Sequence, residues 1–192
     1  MSTTTGSTET EGVFATSWEL TASVAIDAPA QTVYRMVSDI TRMGEWSPEC
    51  FGGRWVEGAP GRVGARFHGF NREGEAVWTS ESEVIEADEG RAFGFTVLRF
   101  CAGEPGPDSR WLGGSQPGDM TWSFAVEQDP GTGGCRLTQR HVMRLVGPFY
   151  RALLQEVDET GRADHVRNRR QHLQHSMEAT LARVKDVAEQ RA

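Results

Sequence analysis

Lysine is almost absent from this chain. Lys185 stands alone beside 19 arginines, and the acidic residues outnumber the basic ones, leaving a formal net charge of -7. The arginines are scattered, so neither a phosphate grip nor a nucleic-acid footprint over the whole chain is expected. Cysteine is scarce as well: Cys50, Cys101 and Cys135 are odd in number and far apart. No C-x-x-C occurs, which removes a zinc knuckle and a redox pair, and the chain is too large to need a disulfide scaffold. No apolar run approaches the ~20 residues of a membrane helix, so no integral membrane segment is expected. No basic residue precedes Arg35, so no leader peptide is expected and the simplest location is the cytoplasm. Nucleotide-binding signatures are missing: there is no G-x-x-x-x-G-K-[ST], and no G-x-G-x-x-G opens a helix after a strand. Gly113-Gly-Ser115-Gln-Pro117 is not a nucleophile elbow.

What is present is 192 residues, 38% of them hydrophobic and 24% charged. That suits one soluble domain with its own core. Residues 1–17 are Ser, Thr, Gly and Glu with little apolar content, and read as a mobile tail. Residues 18–192 read as a single domain. Trp18 to Ile26 is a strand, and Asp27-Ala-Pro-Ala30 reads as a helix start with Asp27 as cap. A second short helix is expected over Asp39 to Glu45. Six strands follow: Phe51–Val56, Gly64–Asn71, Ala76–Ala87, Arg91–Leu98, Met120–Gln128 and Cys135–Met143. Residues 101–119 read as a long Gly- and Pro-rich loop, in which Trp111 is a candidate gate over a cavity and Cys101 a candidate exposed thiol. Leu145 to Leu154, with Tyr150, reads as an apolar stretch that packs on the domain or closes a cavity. Val166, Arg170, Leu173, Met177, Thr180, Leu181, Val184 and Ala188 fall on one stripe of a long final helix.

The order is α+β: one strand, two short helices, an antiparallel run of strands and one long helix to cover the sheet. Specific residues add to it. They are Ile26-Asp-Ala-Pro-Ala30 with Val33, Val37-Ser-Asp39, Met43-Gly-Glu-Trp46-Ser-Pro48, and Val63-Gly-Ala-Arg-Phe67 with Asn71. Trp78, Val84-Ile-Glu86, Trp122-x-Phe124, Arg136-Leu-Thr138 and Met177-x-x-Thr-Leu-x-Arg-Val-Lys185 continue them. In order and spacing these pieces resemble the START-like helix-grip superfamily (SRPBCC), whose bacterial members include polyketide cyclase/dehydrase and lipid-transport proteins. The resemblance implies a helix-grip fold, a curved antiparallel sheet of about seven strands wrapped round the C-terminal helix, with a cavity between them. It does not choose among cyclases, carriers, receptors and co-chaperones.

Strand parity then suggests which side chains face that cavity. The inward set holds Phe67 and Asn71, then Trp78, Ser80 and Ser82, then Phe95, then Trp122 and Phe124, and finally Gln139 and His141. Arg66, His68, Glu81 and Glu83 fall outside, and a bulge would invert part of any strand. Met177 on the long helix completes the substrate-binding candidates, with Trp46 as a further stacking residue. Such a lining suits a flat, ringed, partly oxygenated molecule. His141 is the catalytic candidate as acid or base, and Gln139 would hold a carbonyl oxygen. The alternative for His141 is a half-buried ring bonded to a neighbour. Asn71, Ser80 and Ser82 would either orient a ligand or satisfy local backbone groups. His165 and His172 flank the helix stripe and His175 points away, a solvated face with no metal-ligand grouping.

Taken together, the expected function is that of a cofactor-free cyclase, aromatase or dehydratase of secondary metabolism, acting on a hydrophobic small molecule as a monomer or homodimer. The alternative is a carrier or sensor for a lipid, quinone or metabolite. A third is an interaction module with an incidental cavity. A polar cluster deep in the cavity would favour the enzyme.

Overall fold

Burial alternates along the first strand, β1 (Trp18–Ile26): Trp18, Ala22 and Ile26 are buried while the residues between them reach solvent or its edge. That period is what one covered sheet face requires. The computed structural model describes residues 17–113, 118–144 and 146–190. The tail expected at residues 1–17 lies outside the described residues, save Ser17.

The remaining strands are β2 (Cys50–Glu57), β3 (Arg66–Glu73), β4 (Ala76–Asp88), β5 (Ala92–Ala102), β6 (Leu112–Gly113), β7 (Met120–Gln128) and β8 (Cys135–Met143). All pairs are antiparallel, in the order β1-β8-β7-β5-β4-β3-β2, with the two-residue β6 added to β5. The helices are α1 (Ala30–Val37), a 3-10 turn (Ile40–Glu45), α2 (Pro148–Gln155) and α3 (Arg162–Glu189). This is the helix-grip arrangement, α+β with α3 held against the sheet.

Helix α3 turns Val166, Leu173, Met177, Leu181, Val184 and Ala188 into the core. Burying each larger one contributes roughly 1.5–3 kcal/mol. Arg170, expected on that stripe, is exposed, and Arg169 is the arginine that turns inward. Gly44 shows how tightly the 3-10 turn meets β2: a Cβ there would lie 2.3 Å from the Phe51 carbonyl oxygen.

Several local expectations are corrected. Asp27 does not cap α1. The Ala30 N–H donates to the Gln128 side chain at 3.0 Å, while the Asp27 N–H donates to Glu189 at 2.8 Å. The 101–119 loop is shorter than expected, because β5 runs to Ala102 and β6 returns to pair with it. The apolar stretch before the last helix contains a helix of its own, α2. Cys101 is buried, not exposed.

The most consequential correction is a bulge. Ser82 pairs with Val97 and Glu81 with Arg99, so Leu98 is an extra residue in β5. Beyond it the alternation inverts, as a bulge requires. Phe100 and Ala102 then face the same side as Phe95 and Val97, and Arg99 turns to the outer face. There Arg99 holds the buried Glu81 through two bonds of 3.0 and 2.7 Å, and His68 lies 3.4 Å from the same carboxylate. Trp111 covers this group, 5.3 Å from the His68 ring and 4.6 Å from the Arg99 guanidinium. It is therefore a cover on the back of the sheet, not a gate over the cavity.

Candidate functional site

Between the inner sheet face and helices α2 and α3 lies a cavity of about 830 Å³. Ligand pockets run to roughly 300–1,000 Å³, so this one suits a molecule of several rings or a long folded chain. Phe67, Asn71, Trp78, Ser80 and Phe95 line one side of it. Trp122, Phe124, Gln139, His141 and Met177 line the other. Two of the expected residues are elsewhere. Trp46 is fully buried in the core beside the 3-10 turn, with Arg42 over its ring at 5.2 Å. Ser82 is also fully buried but does not reach the cavity. Both have the right parity or chemistry, but core packing takes them.

His141 is placed by β8, directly opposite Trp122 on β7 and Leu20 on β1. Its ring stacks on Trp122 with centroids 4.0 Å apart and planes 18° apart. The Nδ1 atom lies 3.0 Å from the Thr121 carbonyl oxygen. A carbonyl only accepts, so Nδ1 carries the proton and Nε2 is the acceptor. Burial of the ring pushes its pKa down to about 4, against a smaller opposite effect from the Thr121 bond. At neutral pH the ring is therefore uncharged, and its single proton is engaged by the Thr121 carbonyl. Of the two roles expected of it, acid and base, only acceptance is open to the resting ring.

Gln139 lies two residues away on the same face, 5% exposed, and its Oε1 has no partner. Tyr150, on α2, has its hydroxyl buried without a partner, and burial pushes that group up to about 12. It is part of the cavity wall, not a lid over it. Trp18 meets both His141 and Tyr150 edge-on, at 6.2 and 6.3 Å. One end of an otherwise apolar cavity thus concentrates polar groups that the protein itself does not satisfy. Such groups cost free energy when buried and call for a reason.

Asn71 and Ser80 behave differently. Asn71 Nδ2 donates to the Gly69 carbonyl at 3.0 Å, and Ser80 Oγ donates to the same oxygen at 3.4 Å. They serve the backbone as well as facing the cavity. Cys50 also lines the cavity, but burial pushes its thiol up to about 11, away from thiolate chemistry.

The cavity mouth is charged. Arg169 reaches Glu49 through two bonds of 2.8 Å and Glu73 through one of 2.7 Å, beside the Trp78 ring at 5.8 Å. His172 Nε2 lies 3.7 Å from both carboxylates. Glu49, Glu73 and His172 can bring one ligand atom each within 4.8 Å of one another, a grouping that helix spacing alone does not reveal. Arg169 already places positive charge between the two carboxylates. His165 sits nearer Tyr150, at 5.8 Å between rings, and His175 is exposed.

Sequence reasoning missed Trp18, Phe100 and Arg169. Trp18 was legible as an inward strand residue opposite Met143. Phe100 was hidden by the bulge. Arg169 was hidden because an arginine one position away, Arg170, fits the helical stripe better.

Among the described residues no helix is long and apolar enough to cross a membrane. No curated protein sequence matches the chain. Solved structures do. A Polyketide_cyc-like protein, Cgl2372 of Corynebacterium glutamicum, is 28% identical, with a TM-score of 0.60 over 92% of this chain and 94% of that one. The di-domain ARO/CYC StfQ from the steffimycin biosynthetic pathway is 15% identical, with a TM-score of 0.65 over 95% of this chain and 54% of that one. The di-domain ARO/CYC BexL from the BE-7585A biosynthetic pathway is 20% identical, with a TM-score of 0.58 over 90% of this chain and 50% of that one. The chain thus spans about half of each di-domain protein, and at these identities the likeness speaks for the fold. A family model described as polyketide cyclase/dehydrase and lipid transport matches residues 17–189. With the helix-grip sheet, the enclosing long helix and this match over nearly its whole length, the chain belongs to the polyketide cyclase/dehydrase and lipid transport family.

Proposed function

We propose that this protein encloses a ringed, oxygenated hydrophobic molecule and promotes its cyclisation or dehydration without a cofactor. One observation carries the reading. One end of an otherwise apolar cavity carries His141, Gln139 and Tyr150, with two of their polar atoms buried and unpartnered. A plain lipid carrier has no use for that cost, whereas acid–base chemistry in a dry site does.

The chemistry needs little beyond position. A carbon between two carbonyl groups gives up a proton readily, and Nε2 of neutral His141 receives it. The carbanion attacks a second carbonyl carbon, whose oxygen accepts from the Gln139 amide N–H. A carbon–carbon bond forms, and the new alkoxide takes the proton back from the imidazolium. A ring held near a pKa of about 4 returns that proton easily. A dehydration would follow when Nε2 takes a proton from the carbon between the new carbinol and its carbonyl, a C=C bond forms there, and the hydroxide leaves with that proton as water. Holding a flexible chain folded inside the cavity supplies much of the rate, since proximity is worth roughly 7–11 kcal/mol in favourable cases. The ARO/CYC neighbours are consistent with this reading through fold alone.

Native mass spectrometry of the purified protein, followed by extraction and identification of what it holds, is the test. A co-purified oxygenated polycycle or polyketide is the expected result and supplies an assay. His141→Ala should then lower turnover by about 100-fold or more, in the range typical of a lost acid–base group. A bound fatty acid, lipid or quinone, or unchanged turnover in a folded His141→Ala variant, would overturn the catalytic reading.

A further inference from the structure

His141 and Gln139 present acceptors to the cavity from one face of β8, and these restrict what a ligand can bring to that end. His141 Nδ1–H is committed to the Thr121 carbonyl at 3.0 Å, so Nε2 can only accept. The stack on Trp122, centroids 4.0 Å apart, fixes the ring plane, and the Thr121 bond fixes which nitrogen faces the backbone. Gln139 Oε1, two residues along the same strand face, is a second acceptor and has no partner. Donors stand beside them: the Tyr150 hydroxyl and the Trp18 indole N–H, both without a partner, can donate to a ligand oxygen. His141 is 2% exposed and Gln139 5%, so bulk water does not complete these bonds.

A ketone, a quinone, an ether or a carboxylate brings only acceptors to this end. Each can accept from the Tyr150 hydroxyl, the Trp18 indole N–H or the Gln139 amide N–H, but brings no donor for His141 Nε2 and Gln139 Oε1. A hydroxyl brings one donor and an acceptor oxygen together, which matches the acceptors on β8 and the donor on α2. We propose that the end of the cavity that holds His141 and Gln139 selects its ligand by a hydroxyl group, a phenol or an enol, that donates to the acceptors of these two residues. The proposal rests on the ringed, oxygenated ligand argued above and narrows it. It makes His141 and Gln139 specificity-determining, independently of any turnover.

Three probes separate the possibilities: 2-naphthol, 2-methoxynaphthalene and naphthalene. They share one ring system and bracket the hydroxyl in size. Each is titrated into the full chain by calorimetry, with wild type, His141→Phe and Gln139→Leu. Phe keeps the stack on Trp122, and Leu keeps the volume of Gln139. In the wild type 2-naphthol should bind about tenfold or more tighter than either comparator, the cost of leaving a buried acceptor unpaired. In His141→Phe that ratio should fall to about one, through loss of the naphthol rather than gain of the others. If His141→Phe does not fold, Gln139→Leu should still lower the ratio at least threefold. Equal binding of all three probes to wild type, or an undiminished ratio in the folded variants, overturns the hydroxyl selection and leaves the ringed-ligand reading standing. Binding of none of the three overturns both.

Discussion

His141 and Trp122 lie ring on ring at 4.0 Å across neighbouring strands, and the Thr121 carbonyl beside Trp122 accepts a hydrogen bond from His141 Nδ1–H. Strands β7 and β8 thereby fix both the orientation and the tautomer of this buried imidazole in the cavity wall. The ring is held neutral at a cost that depends on pH.

That dependence gives the first prediction. Burial lowers the His141 pKa from 6.5 to about 4. Between those values the unfolded chain binds the proton and the folded chain does not. Stability therefore rises with pH across this window, and is lost as pH falls from about 6.5 toward 4. The loss attributable to this ring is about 3 kcal/mol. Urea melts of wild type and His141→Phe between these two pH values check it. The wild-type curve should be steeper, and parallel curves would mean that the ring does not carry the effect.

Gln139→Leu should separate stability from function. Its Oε1 is buried without a protein partner, so the substitution removes a desolvated acceptor and fills the same volume. The variant should be more stable than wild type by about 1 kcal/mol, in the direction expected when function holds a strained polar group in place. Its affinity for a hydroxylated aromatic should fall in the same preparation. Thermal melts paired with a 2-naphthol titration read both, and a destabilised variant would show that Gln139 is structural.

Most of the frame was legible because its residues obey one period at a time. Trp18, Ala22 and Ile26 alternate cleanly, and the α3 stripe from Val166 to Ala188 keeps its 3.6-residue repeat. The candidate site was legible wherever strands stay regular: Trp122, Phe124, Gln139 and His141 lie on unbroken pairs of β7 and β8. It failed where a single residue changes the count. Leu98 is an extra residue in β5, which no local pattern announces, and it moves Phe100 to the cavity and Arg99 to the back of the sheet. Trp46 failed for another reason. A large aromatic beside a turn suits a ligand and a core equally well, and only the packing of Ile40 and Met43 around the 3-10 turn decides for the core. Arg169 was beyond reach because its partners, Glu49 and Glu73, come from β3 and the segment before β2, about a hundred residues away.

Trp111→Ala should loosen the back of the sheet and leave the cavity alone. Trp111 packs on His68 and on Arg99, over the buried Glu81. Losing both contacts removes about 1 kcal/mol of local stability. Arg110, exposed beside it, then becomes a faster site for trypsin. Cleavage after Arg110, followed by mass spectrometry, should accelerate severalfold, while naphthol binding stays unchanged. A weakened affinity would mean that this cover communicates with the cavity through β5.

Arg169 and Arg167 make a matched pair on one helix, and their contrast tests what holds the cavity mouth. Arg167 pairs with Asp164 at the surface, where both side chains are more than half exposed. Such pairs are worth roughly 0–1 kcal/mol, so Arg167→Ala should barely shift the urea midpoint. The Arg169 side chain is only 18% exposed, and Glu49 beneath it 13%. Arg169→Ala strands that carboxylate with only the half-exposed His172 at 3.7 Å, too far for a good bond. The loss should reach about 2 kcal/mol, below the ~3–5 of a fully buried pair because the mouth is partly wet. Arg169→Lys should recover only part of it, since an ammonium cannot make the two parallel bonds to Glu49. Adding Glu49→Gln to Arg169→Ala should recover more, because it removes the stranded charge itself. If Arg169→Ala costs no more than Arg167→Ala, the ion pairs do not hold α3 to the mouth, and the apolar stripe below Leu173 does so alone.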